Sequence, residues 1–105
     1  MIQVNYGNGY IVQVRSLQTH KKYKNGAMVV EALTIEECLV LSINIDIESL
    51  ALREGEFFAK NHSEGKPLYD ALLAAGWIEE TGLTTKPGFV EIPAVKLTDK
   101  AIILW

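Results

Sequence analysis

The chain predicts an α+β domain: a mostly antiparallel, twisted or barrel-like sheet of about 6–7 strands, with one short helix over about 67–75 packed on one face. Three observations carry this. Apolar and polar residues alternate with a period of two through most of the first half; Asn-Gly pairs at Asn8-Gly9 and Asn25-Gly26 interrupt the alternation; and Pro67 to Ala75, closed by Gly76, carries apolar residues at helical spacing.

Ile2 and Val4 alternate with Gln3 and Asn5, and Tyr10, Val12 and Val14 with Gln13 and Arg15, around Gly7-Asn8-Gly9. This is a hairpin pattern, because a type I′ turn needs positive φ at both central residues and Asn-Gly supplies it. Asn25-Gly26 predicts a second hairpin, which puts the basic run Lys21 to Lys24 on its arm and tip. Thr34-Ile35-Glu36-Glu37 fits a helix-capping box, yet Leu39, Leu41, Ile43, Ile45 and Ile47 alternate with Val40, Ser42, Asn44 and Asp46. A helix would scatter those residues around its circumference and a strand puts them on one face, so a strand is expected. Leu50 to Lys60 reads as a strand pair or a bend around Glu54-Gly55, with Glu56 to Lys60 extended.

In the helix, proline suits a position whose amide lacks an intrahelical partner, and Gly76 suits the left-handed cap. Leu68, Tyr69, Leu72, Leu73 and Ala75 fall on one side, and Trp77 falls where it can close a Schellman cap. The remainder reads as strands: Trp77 to Glu80, Leu83 to Lys86, a type II turn at Pro87-Gly88, Phe89 to Leu97 with Pro93 at a bulge or edge, and Ala101 to Trp105. One helix cannot cover both faces of such a sheet, so the sheet curls or its second face meets another molecule.

At 105 residues and 49% apolar content, the chain is read as a single compact domain, 1–105, with no linker and no need of a disulfide scaffold. Cys38, alone, is expected to be a small packed apolar group, and a lone cysteine suits a reducing compartment. No signal-peptide pattern is visible and no apolar run reaches membrane-spanning length, so the expected location is cytoplasmic.

Charge is polarised along the chain. Residues 1–30 sum to +4, 31–64 to −6 and 65–105 to −1, which together give the net −3. Three candidate interaction sites follow. Lys21, Lys22, Tyr23 and Lys24 combine cations with an aromatic ring, as phosphate contact and base stacking require, although the pI of about 5.3 is acidic for a nucleic-acid module. Asn61, His62, Ser63 and Glu64 crowd polar side chains beside a helix start, where a small ligand would meet free amides. Ile103 and Trp105 belong to an apolar C-terminal run, expected either to complete the chain's own sheet or to pair with a second copy.

No HExxH, CxxC, P-loop or GxGxxG pattern occurs, and the two histidines, His20 and His62, lie far apart in sequence, so no catalytic residue, metal or cofactor is expected. The sequence therefore points to a non-enzymatic protein-interaction domain, self-associating as a homodimer or binding a protein partner, with no membrane role. Nucleic-acid binding through residues 20–24 is the alternative, and a ligand or enzyme site at residues 60–64 the third.

Overall fold

A computed structural model describes residues 1–45 and 52–104. Among them, nine strands and one α-helix follow in order: β1 (Ile2–Asn5), β2 (Ile11–Val14), β3 (Ser16–Gln18), β4 (Glu31–Leu33), β5 (Cys38–Val40), β6 (Glu56–Phe58), α1 (Lys66–Ala74), β7 (Ile78–Thr85), β8 (Ile92–Leu97) and β9 (Ile103–Leu104). The fold is α+β and mostly antiparallel, with one short helix, as the alternation and the helical segment indicate.

The strands do not share one sheet. They form three, ordered β1-β2, β5-β4-β3-β9 and β6-β8-β7, and none closes into a barrel. The chain changes sheets at short irregularities that hydrophobic alternation does not register. Arg15 alone separates β2 from β3, and its amide donates to Leu33 O at 2.8 Å. Leu41 and Ser42 both donate to Val30 O, at 2.9 and 3.3 Å, a two-against-one bulge that frees the strand from β4. Ser42 then bridges Ala59, and Ile43 donates to Phe58 O at 2.8 Å. One extended segment thus serves two sheets.

Both Asn-Gly pairs make turns, of different kinds. Asn8 and Gly9 take φ of 53° and 79°, and Tyr10 donates to Gly7 O at 2.9 Å, the φ signs a type I′ turn requires. In the second hairpin Gly26 alone takes positive φ, 88°, after a turn closed by Gly26 N–H to Tyr23 O at 2.9 Å. Thr34 to Glu37 is a turn between β4 and β5, not a helix start. Thr34 donates through both its amide (3.0 Å) and its hydroxyl (2.9 Å) to Glu37 O, and Glu37 N–H donates back to Thr34 Oγ1 at 3.0 Å.

Helix α1 starts one residue before Pro67 and buries Leu68, Tyr69 and Leu72. It ends in a Schellman cap: Gly76 (φ 78°) donates to Leu73 O at 3.1 Å and buried Trp77 to Leu72 O at 3.0 Å. Ala75, expected on the packed side, is exposed. Pro93 lies in the central strand β8, opposite the bulge between Glu80 and Thr84 of β7, where a missing donor is tolerated. Gly88 does not take positive φ, so Pro87-Gly88 is not a type II turn, and Phe89 and Val90 lie in an exposed loop before β8.

The apolar residues separate into two cores because Phe57 and Phe58 of β6 point to opposite faces. Phe57 joins Val4, Val14, Leu17, Leu41, Leu68, Leu72 and Val95 in the larger; Phe58 joins Ile92 and Ala94 in the smaller, flanked by Ile43, Ile45, Leu52 and Leu83. The second face of β6-β8-β7 is covered from within the chain. No helix among the described residues is long and apolar enough to cross a membrane.

Candidate functional site

Beside β5 lies an open cleft of about 620 Å³. Its walls are Tyr6 and Tyr10, at the turn of the first hairpin, and Cys38, Leu39 and Val40 of β5; Tyr23, Ser42 and Leu68 lie deeper, and Lys60 and Glu64 close one end. The Tyr6 and Tyr10 rings sit 5.5 Å apart at 36°. Tyr10 OH donates to a Glu37 carboxylate oxygen at 3.0 Å, and this bond to an anion holds the Tyr10 pKa above its ordinary value; partial burial raises that of Tyr6. Tyr10 and Ile11 are about half exposed at 54% and 46%, Val40 is 50% exposed and Ile35, on the neighbouring turn, 76%. Tyr10 links them, lining this cleft with Val40 and a neighbouring cavity with Ile11 and Ile35, so that an apolar strip runs from the hairpin tip past the β4–β5 turn.

The sequence-derived candidates divide among three places. In the basic hairpin, Lys21 pairs with the nearly buried Glu31 at 3.3 Å, Gln18 donates to the same carboxylate at 3.0 Å, and these partners hold Glu31 below the usual carboxylate range. Tyr23 turns inward, its OH 3.0 Å from Ser42 Oγ, and Ser42 Oγ also accepts from Val30 N–H at 2.9 Å. Lys24 stays exposed at the turn. Lys22 lines a second cavity, of about 690 Å³, together with Met28, Arg53, Leu97 and Ile103.

At the helix entry, Ser63 opens a 3-10 turn, Ser63–Gly65, with a left-handed φ of 52°. Glu64 pairs with Lys60 in the cleft, which holds its carboxyl below the usual range. Asn61, His62 and Ser63 are not part of the cleft wall, and Asn61 Oδ1 and His62 Nδ1 are buried without a hydrogen-bond partner. Gly65 permits this tight entry, since a Cβ there would stand 2.9 Å from Lys60 O. Ile103 pairs with Leu17 in the chain's own sheet, so this part of the C-terminal run completes β3; Trp105 lies outside the described residues. Among the described residues no three His, Cys, Asp or Glu side chains gather as a metal site.

Tyr6, Tyr10, Val40 and Cys38 were not evident as site residues. Val40 carried a signal, being apolar on the outward phase of the Leu39-Leu41-Ile43 alternation. Cys38 is exposed and free, not packed, because it follows the turn on that same outward phase. Comparison of the chain with protein-family models, with curated proteins and with solved structures finds no match to any of them.

Proposed function

We propose that the chain is a non-enzymatic interaction domain that holds an extended protein segment against the outer edge of β5. One observation carries the reading: an end strand of a sheet, bordered by a cleft, coincides with the exposed apolar strip of Tyr10, Ile11, Ile35 and Val40. Strand addition draws affinity from main-chain hydrogen bonds and specificity from side-chain pockets, and tyrosines supply large contact area with few rotors to freeze. An exposed free thiol at Cys38 suits a reducing, cytoplasmic setting.

Selection of displayed random peptides on the immobilised full chain tests this. Peptides enriched on the wild type are expected to bind Val40→Lys and Tyr10→Ala roughly tenfold or more weakly, with both variants still folded by circular dichroism. Absence of enrichment on chain immobilised as the monomer, or binding indifferent to both substitutions, sinks the reading. Nucleic-acid binding has less support, because Tyr23 is engaged by Ser42 and Lys21 by Glu31, which leaves Lys22 and Lys24 as the uncommitted cations of the hairpin. A ligand or enzyme site at residues 60–64 has less still, since of Asn61, His62, Ser63 and Glu64 only Glu64 reaches the cleft, already paired.

A further inference from the structure

We infer that the segment seated on β5 is the β5 of a second copy, paired antiparallel about a two-fold axis at Leu39, with the acidic turn of each copy facing the basic hairpin of the other. This rests on the reading of β5 as the binding edge.

The backbone sets the register. Thr34 N–H bonds Glu37 O and Leu41 N–H bonds Val30 O, so Thr34:Glu37 and Val30:Leu41 are bonded pairs on either side of β5. Bonded and non-bonded pairs alternate in an antiparallel ladder, which makes Ala32:Leu39 bonded and turns the peptide groups of Cys38 and Val40 away from β4. From Ser42 onward the outer side belongs to Ala59, and before Cys38 the chain turns back toward β4. The open edge is therefore residues 38–40, and the symmetric antiparallel register that uses all of it sets Cys38 opposite Val40 of the second copy and Leu39 opposite Leu39. Both outward residues then exchange main-chain hydrogen bonds, and each exposed Val40 side chain gains Cys38 of the other copy as its cross-strand neighbour.

Charge agrees with this geometry. In that register the turn at residues 34–37 of one copy comes beside Leu41-Ser42, just after β5, of the other, and Ser42 is where the basic hairpin docks, through Tyr23 at 3.0 Å, with Asn25 Nδ2 bonding Asn44 Oδ1 at 3.0 Å just beyond. Glu36, Lys22 and Lys24 form no ion pair within the chain among the described residues. Two-fold symmetry repeats the match, whereas parallel pairing would set Glu36 and Glu37 against themselves.

The full chain is tested by light scattering and sedimentation across concentration. The expected mass is twice 11.7 kDa, reverting to the monomer in Val40→Lys with an unchanged circular-dichroism spectrum at low temperature. Glu36→Lys or Lys24→Glu alone is expected to weaken dimerisation roughly tenfold, and the two combined to restore it, since the swap rebuilds both contacts. A wild-type monomer at every concentration overturns the proposal, as does a dimer indifferent to Val40→Lys, or charge variants that have no effect or fail to rescue one another. A monomeric wild type that still selects peptides in a Val40-dependent manner removes the second copy while leaving the binding edge standing.

Discussion

Ser42 shows how much one small buried hydroxyl can organise. It accepts from Val30 N–H, meets Tyr23 OH, and sits at the bulge where the strand changes sheets. Ser42→Ala leaves a buried amide unpaired, so urea unfolding is expected to show a loss of about 1–3 kcal/mol, with Tyr23→Phe costing less because its hydroxyl lies nearer solvent. Glu31 gives a pH dependence with a definite sign. Its folded pKa lies below the ordinary 4.5, so its contribution is complete above that pH and is lost as pH falls through the lower folded value. Urea midpoints followed from about pH 6 to about pH 3 are expected to fall less steeply at the acid end in Glu31→Gln than in the wild type. At this scale the sequence is only partly legible. The alternation marked Val40 as apolar on an outward phase, but no local signal says that Tyr23 folds inward while Tyr10 stays half exposed, because both follow from contacts 19 and 27 residues away.

Among the elements, the helix was the most legible, since its start, its apolar side and its Schellman cap are all local chemistry. Gly76→Ala forces a Cβ into left-handed backbone and to 3.2 Å from Lys100 Cδ, so chemical denaturation is expected to register a loss of about 1–2 kcal/mol. Strand β6 makes a separate claim, that the two cores are independent. Phe57→Ala and Phe58→Ala are each expected to cost about 3–5 kcal/mol, and Phe57→Ala additionally to loosen α1, measured as faster amide exchange at Leu72, because Leu72 belongs to the Phe57 core and not to that of Phe58. Turn chemistry was legible as far as placing both hairpins, although not in distinguishing them: an identical Asn-Gly pair takes positive φ at both residues in one and only at glycine in the other. Pairing around Pro87-Gly88 misled, since a Pro-Gly dipeptide favours a type II turn only where the flanking strands close directly upon it, and here Phe89 and Val90 extend the loop.

For the molecule as a whole, three sheets replaced the expected one because alternation reports which side of a strand is buried, and says nothing of which neighbour it hydrogen-bonds. The transfers at Arg15 and at Leu41-Ser42 each cost the pattern one residue or none, too little to be read. The charge polarity was legible from the outset, and the fold gives it a location: the β4–β5 turn carries Glu36 and Glu37, and the hairpin docked at Ser42 carries Lys22 and Lys24. If these ends steer association, raising salt from about 0.05 M to about 0.5 M is expected to slow the association rate more than it raises the dissociation rate, as stopped-flow measurement would resolve.

Among the described residues a single parallel pairing, β3 with β9, ties Leu17 to Ile103. The edge of β3 therefore stays bare until residues 103–104 have been made and have paired with it. Completing the four-stranded sheet waits on this contact of long sequence separation, which places the step late in folding, when a chaperone would most directly protect the bare edge.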